Sequence, residues 1–392
     1  MRIGIDARFL THPQPGGFKT YTTNLITTLG EIDRDNDYVV YVDRRPADPG
    51  ALPAHPNFTC QMVHGTLPGL GMPLREQVLL RRRIAVDRLD LVHFLCNTAT
   101  IGLRTRHVVT LHDTIQLTPR TSITVRRTPA DRWRRAQAAY SNYTTRRAAR
   151  TASRLIAVSH HEKQSISVVL GVPPERVSVI HSAPDPAFVL ADGHEGKPAG
   201  VPTAPASGVR SPYILGVGYE PRKNIELLIE VFAELATERH DLQLVVVAAH
   251  EGRRRELQAH VRDRGLEPRA VILGALPTPC LARLYRGAEA LVFPSEREGF
   301  GLPPLEAMAS GIPTVAMRAS SVPEVVGDGA LLVDGAEVGK WVAAVRHVLS
   351  SPALRADLVR RGLERAATFS WTRCAEQTIA VYRGVHSRSA GS

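Results

Sequence analysis

Residues 291–311 read Leu-Val-Phe-Pro-Ser-Glu-Arg-Glu-Gly-Phe-Gly-Leu-Pro-Pro-Leu-Glu-Ala-Met-Ala-Ser-Gly. An apolar run ends at Phe293–Pro294, a polar loop with two glycines follows, and a helix-forming run closes on Gly311. Pro303 or Pro304 suits the first helical position, where a missing N–H costs nothing. Gly311 suits the left-handed residue that stops a helix. The stretch therefore predicts strand, loop and helix, with Glu298 at the strand's carboxyl end and Glu306 in the first helical turn. A strand followed by a helix crosses over to a parallel neighbour, so repeats of this unit build a parallel sheet.

The unit does repeat. Strands are expected at 2–5, 38–42, 91–94, 108–111 and 155–158, then at 213–217, 242–248, 270–273, 290–293, 313–316 and 331–333. Their apolar positions are consecutive, as in strands covered on both faces. Helices are expected at 17–29, 75–86, 131–152 and 159–170, then at 224–236, 281–287, 304–310, 339–349 and 353–367. Between the two series the chain is rich in Gly, Pro, Ala and Ser without a hydrophobic period, which reads as a linker or surface excursion. The organisation expected is an α/β protein of two Rossmann-like parallel-sheet domains facing a cleft. Residues 1–190 form the first domain, 191–211 the linker, 212–370 the second domain, and 371–392 a last helix packing back on the first. Ligands of such sheets bind beyond the carboxyl ends of the strands.

Composition sets the outer bounds. The 392 residues are 43% hydrophobic and 22% charged, with 30 Gly and 28 Pro, which excludes collagen, coiled coil and a disordered acidic chain. No apolar run reaches the ~18 residues of a membrane span. Residues 1–10 read as a strand without a signal-peptide pattern. The cysteines at 60, 96, 280 and 374 are far apart and form no CxxC, so a reducing, cytoplasmic setting is expected. Lys and Arg number 49 against 38 Asp and Glu, a net charge of +11 that favours phosphorylated molecules, anionic lipid or nucleic acid.

Four constellations carry chemistry. Glu298 and Glu306 are carboxylates able to accept pairs of sugar hydroxyls beside a helix N-terminus suited to phosphate; the plain alternative is that Glu306 only complements the helix dipole. Gly216-Val-Gly-Tyr-Glu-Pro-Arg-Lys-Asn224 also joins strand to helix, where Arg222 with Lys223 suits a diphosphate; the plain alternative is a solvated basic pair. A dinucleotide fingerprint fails there because its third glycine is Pro221. Pro15-Gly-Gly-Phe-Lys19 follows the first strand and reads equally as a plain turn or as a loop that lets Gly17 approach a ligand at a helix start. His112, at the end of the strand 108–111, is placed to meet a sugar hydroxyl; the plain alternative, the commoner role of a lone histidine, is a structural ring. Asp33, Asp35 and Asp37 read as turn residues, not metal ligands. No GxSxG or Cys–His pair supports a covalent hydrolase.

Together these residues resemble the retaining nucleotide-sugar glycosyltransferases of family 4, which have the GT-B fold. The likeness covers nearly the whole chain. Glu298 and Glu306 match the family's E-x7-E motif, and residues 216–224 match its basic diphosphate loop. The resemblance implies that Arg222 and Lys223 neutralise the donor diphosphate and that Glu306 holds the ribose. It implies that Glu298 binds donor-sugar hydroxyls and that the backbone of Phe300, Gly301 and Leu302 cradles sugar and phosphate. His112 would contact the sugar and Gly17 would approach the phosphates. It also implies retention of configuration without a metal or other cofactor. Two departures stand out. Lys19 replaces the second glycine of the first loop, and Ser-Ala-Pro-Asp at 182–185 replaces Asn-Gly-Val-Asp.

The donor expected is GDP-mannose or a UDP-sugar, and the acceptor a glycan, a lipid-linked saccharide or a small molecule. A nucleotide-sugar epimerase and a phosphorylase share the architecture and remain rivals. A nucleic-acid-binding module lacks any recognition motif, so no nucleic-acid partner is expected. The basic excess gathers around Arg75, Arg81, Arg82 and Arg83, and again from Arg120 to Arg150 with Trp133 and Tyr140 among it. Such stretches suit an anionic membrane surface, which would place the protein peripherally at the inner face of the plasma membrane. The alternative is a solvated helix face.

Overall fold

The computed structural model describes residues 1–13, 16–46, 50, 52–65, 71–117, 129–190 and 208–387. The chain forms two compact units, residues 1–182 with 371–392, and residues 183–370. Most of the expected linker, 191–207, lies outside the described residues, as do Arg120, Arg126, Arg127 and the side chains of 129–134.

The first unit runs β1 (Arg2–Asp6), α1 (Gly17–Ile32), β2 (Asp37–Val42), β3 (Phe58–Met62), α2 (Gly71–Leu74), a π turn (Arg75–Leu79), α3 (Leu80–Val86), β4 (Leu91–Phe94), β5 (Arg106–Leu111), α4 (Pro129–Thr151), β6 (Arg154–Ala157), α5 (His160–Leu170) and β7 (Val177–Val179). Its seven strands are parallel in the order β3-β2-β1-β4-β5-β6-β7. The expected helix 75–86 is thus broken by a π turn, whose Arg75 and Glu76 are fully buried. Strand β3 escaped the sequence reading because Phe-Thr-Cys-Gln-Met carries no apolar run. It needs none, lying at the sheet edge with one side partly exposed. Asp33 does make a turn. Its Oδ1 accepts the Asp35 N–H and its Oδ2 accepts the hydroxyl of Tyr38 at 2.6 Å.

The second unit runs β8 (Tyr213–Val217), α6 (Ile225–Glu238), β9 (Gln243–Val247), α7 (Glu251–Asp263), β10 (Ala270–Leu273), α8 (Thr278–Gly287), β11 (Ala290–Phe293), α9 (Leu302–Ala309), β12 (Thr314–Met317), α10 (Val322–Val326), β13 (Leu331–Val333), α11 (Val338–Ser350) and α12 (Pro352–Ala367). Six parallel strands take the order β10-β9-β8-β11-β12-β13. Ile214, Leu228, Phe232, Val246, Val292 and Trp341 share one core between this sheet and its helices. Helix α7 was not foreseen. Only Leu257 and Val261 of it are buried, and pairs such as Glu251–Arg255 and Arg253–Glu256 hold its wet faces.

The last helix, α13 (Trp371–Ser387), packs with the first unit, where the hydroxyl of Tyr382 meets His93 Nδ1 at 2.7 Å. Residues 183–190, grouped above with the first domain, belong to the second unit. The reason is Phe188, whose ring stacks edge-on against Tyr285 and whose carbonyl accepts the Ser310 hydroxyl.

Strand order reverses between β1 and β4 in one sheet and between β8 and β11 in the other. Crevices open beyond the carboxyl ends of strands at such points. The loops after β8 and β11 carry residues 218–224 and 294–301. The loops after β1 and β4 carry, among the described residues, 7–13 with 16, and 95–105.

Candidate functional site

In the second unit the two switch-point loops are locked together. After β8 the chain makes a 3-10 turn, Pro221–Lys223, and Asn224 takes a left-handed conformation before α6. Gly218 has φ +139°, and a Cβ there would lie 2.6 Å from Lys223 Cγ. The lysine stem therefore lies back across Gly218, which delivers its ammonium to Glu298 Oε1 at 2.7 Å. Arg222 reaches the same oxygen at 2.9 Å and the Arg297 carbonyl at 2.6 Å. The hydroxyl of Ser295 also donates to Oε1. Three donors converge on one oxygen, and no described residue bonds to Oε2. Burial pushes the Glu298 carboxyl up, but the charges of Lys223 and Arg222 overcome this and hold it below the ordinary glutamate range.

The loop that carries Glu298 is pinned from below. Ser320 Oγ accepts the Glu298 N–H at 3.0 Å, and Ser321 Oγ lies 2.7 Å from the Phe300 carbonyl. Gly301, at φ +113°, turns the chain into α9. A Cβ added there would meet nothing closer than Val322 at 3.8 Å, so the backbone conformation and not crowding requires glycine. Helix α9 begins at Leu302, one or two residues before the expected start, with Pro303 and Pro304 at its second and third positions. Those prolines remove two N–H groups from the helix head, so its donors come from Gly301 and Leu302.

The early start also moves Glu306 out of the first turn, where it was expected. It sits one turn in and buried, too far along to serve as a dipole partner. Its Oε2 accepts the Tyr285 hydroxyl at 3.3 Å. Burial first, and then the negative charge of Asp185, push its carboxyl up to about 7. The two glutamates thus stand in opposite states near neutrality: Glu298 ionised, Glu306 half protonated. Neutral Glu306 is favoured by the fold, whereas the unfolded chain ionises it near 4.5. Its contribution to stability is therefore present in acid and is lost as pH rises towards 7, a loss of order 3 kcal/mol. Glu306→Gln should consequently gain melting temperature relative to the parent at pH 8 over pH 5. An equal offset at both pH values would refute the buried, shifted carboxyl.

The first unit holds the other two expected residues. Gly17 is exposed and opens α1. Lys19, in place of the family's second glycine, turns its ammonium back to the His12 carbonyl at 2.7 Å. His112 follows β5, with its ring between Phe18 and Tyr21 at 4.7 Å from each. Burial lowers its pKa to about 4, so the ring is neutral. Nε2 faces the Leu95 carbonyl at 3.0 Å and must carry the proton, which leaves Nδ1 as an acceptor.

The structure thus brings Arg222, Lys223, Glu298, Phe300, Gly301, Leu302 and Glu306 together in one unit and sets Gly17 and His112 in the other. Sequence reading missed Ser295, Ser320, Ser321 and Tyr285. A serine three residues before a loop glutamate carries no signal until the loop's curl is known. Asp185 was noticed only as a turn residue, and the fold makes it a neighbour of Glu306.

Residues 15–188 match the family model Glycosyltransferase Family 4, and residues 207–365 match Glycosyl transferases group 1. The chain is 36% identical over 173 residues to O-antigen chain mannosyltransferase B of Escherichia coli, covering 44% of this chain and 45% of that one. It is 34% identical over 251 residues to MMP alpha-(1->4)-mannosyltransferase of Mycolicibacterium hassiacum, covering 62% and 57%. The chain thus spans about half the length of these curated relatives. Sucrose-phosphate synthase from Thermosynechococcus elongatus superposes with a TM-score of 0.75 at 18% identity over 99% of this chain and all of that one, a likeness of fold. The fold is accordingly the GT-B type, two Rossmann-like parallel-sheet domains.

Proposed function

We propose, from a first part that matches Glycosyltransferase Family 4 and a second that matches Glycosyl transferases group 1, that the chain transfers a hexose from a nucleoside-diphosphate sugar to an acceptor hydroxyl, with retention and without a metal. The observation that carries this reading is the shared oxygen of Glu298, which gathers Arg222 and Lys223 beside the head of α9. A diphosphate entering there meets two cations and the Gly301 and Leu302 N–H groups. Glu298 keeps Oε2 for a donor-sugar hydroxyl, and Glu306 in its ionised form accepts the two ribose hydroxyls. His112 Nδ1 accepts from a sugar hydroxyl.

The bond from the anomeric carbon to phosphate breaks, and its electron pair stays on the diphosphate. The acceptor oxygen bonds to the same carbon on the same face, and its proton passes to the departing phosphate oxygen. Fixed cations stabilise the charge that develops, the task a divalent ion would otherwise perform. Some relatives are mannosyltransferases and others D-inositol 3-phosphate glycosyltransferases, so GDP-mannose and UDP-hexoses stand as equal candidates for the donor. A panel of these donors, scored by melting shift and by turnover in chelator, tests the reading. If no nucleotide sugar is bound or consumed, the assignment fails; if activity needs added magnesium or manganese, its metal-free part fails.

Among the described residues no helix is long and apolar enough to cross a membrane. A peripheral contact through the first unit is supported by the surface of α2, the π turn and α3, where exposed Met72, Val78 and Val86 accompany exposed Arg81, Arg82 and Arg83. Helix α4 lies beside them, its Tyr140 bonded to Glu76 and Gln77, and it exposes Arg135, Tyr143 and Arg147. Salt-sensitive sedimentation with anionic vesicles is expected, at about 1 kcal/mol per cation near the surface. Arg81, Arg82 and Arg83 changed together to Gln should weaken it. A parent protein that stays in the supernatant at low salt would make this a solvated face and the acceptor a soluble one.

A further inference from the structure

We propose that Asn97 is the positioning residue for His112. The inference rests on the reading of His112 given above, and the observations behind it are independent of the donor site.

Asn97 stands in the segment after β4, and its amide spans to the turn after β5. Its Oδ1 accepts the His112 N–H at 2.8 Å, and its Nδ2 donates to the Asp113 carbonyl at 3.1 Å. Two residues earlier, the Leu95 carbonyl takes the proton on His112 Nε2. Backbone and ring of His112 are therefore both referred to residues 95–97. An amide is the side chain that fits this bridge. It offers one acceptor and one donor, whereas aspartate would set a carboxylate against the Asp113 carbonyl, and leucine would strand both backbone groups.

The segment that holds Asn97 is itself fixed. Thr98 Oγ1 donates to Glu76 Oε1 at 2.6 Å, and Thr100 Oγ1 donates to the Glu76 carbonyl at 2.7 Å. Gln77 donates to the Ala99 carbonyl at 3.2 Å and accepts the Ile101 N–H at 2.9 Å. Glu76 is completely buried and paired with Arg8, which is paired in turn with Asp6 at the end of β1. The π turn therefore has a purpose in this fold: it presents two consecutive side chains to the loop after β4. Such turns recur where a helix is bent to serve a site. The line from Asp6 to Arg8, Glu76, Thr98 and Asn97 ends at a ring whose proton sits on Nε2 and whose Nδ1 is an acceptor.

The test reads the ring as well as the reaction. In spectra of the 15N-histidine-labelled full chain, with the His112 signal assigned by its loss in His112→Gln, the parent should show a single Nε2–H tautomer. Asn97→Ala should average the two tautomers and lower transfer turnover roughly ten- to a hundredfold, the scale of a misplaced catalytic contact. Nucleoside-diphosphate affinity should stay at the parent value, and Asn97→Ala with His112→Gln should be no worse than His112→Gln alone. Asn97→Asp, which keeps the acceptor and loses the donor, should fall between and serves if the alanine variant does not fold. A parent-like tautomer with unchanged turnover, or losses that multiply in the double variant, would overturn the proposal. Full turnover in His112→Gln would instead remove His112 from the reaction, while the tautomer comparison still decides whether Asn97 positions it.

Discussion

Lys223→Ala is expected to slow transfer roughly ten- to a hundredfold, because a charge-assisted bond to phosphate contributes about 1.5–3 kcal/mol. The loss should appear in turnover more than in donor affinity, since the negative charge it meets grows as the diphosphate departs. A second consequence follows from the shared oxygen. Without Lys223, Glu298 Oε1 keeps only Arg222 and Ser295 against its burial, so its carboxyl rises and the acid limb of the pH–rate profile moves up. Gly218→Ala should reproduce much of the defect with every charge intact. A methyl at that φ is strained, and it would lie 2.6 Å from the lysine stem and push the ammonium off Glu298. A Lys223→Ala enzyme with parental turnover and pH profile would place the diphosphate elsewhere.

The donor unit was legible because its sheet is made of apolar runs. All six strands of the second sheet fall within a residue or so of their expected places, since short runs of consecutive Val, Leu and Ile suit strands covered on both faces. What escaped was held by polar contacts instead. Strand β3 and helix α7 show no continuous hydrophobic stripe, the π turn is set by a buried Arg–Glu network, and the serines around the Glu298 loop come from two separate places in the chain. Site residues behave the same way. Arg222, Lys223, Glu298 and Glu306 lie in short motifs between a strand and a helix, so spacing singled them out as candidates. Asn97 and Tyr285 make their contacts across the fold and have no local signature. The displacement of Glu306 by one or two helical positions shows the limit of boundary reading. Two adjacent prolines made position 303 or 304 the natural start, yet Gly301 turns the chain early and Leu302 takes the first position.

That displacement bears on how the two carboxylates should fail when altered. Glu298→Gln is expected to lower turnover by about a hundredfold with little change in donor KM, because it leaves the sugar contact without charge and removes the carboxylate charge that Lys223 pairs with. Glu306→Ala should do the reverse, raising donor KM roughly ten- to a hundredfold while turnover holds, since ribose contacts are equal in ground and transition states. The raised carboxyl of Glu306 adds a signature that no surface glutamate would give. Ribose hydroxyls donate, so the ionised form binds them, and with a value of about 7 that form falls tenfold for each pH unit below neutrality. Donor KM in the parent should therefore fall from pH 5.5 to about 7 and then level. In Glu306→Gln it should be raised and flat. The measurement needs the nucleotide sugar rather than the free nucleoside diphosphate, whose terminal phosphate titrates near pH 6 and would mimic the effect. If KM in the parent is level across neutrality, or if Glu306→Gln keeps its slope, then another group carries the ribose and the role of Glu306 is confined to the core beside Tyr285.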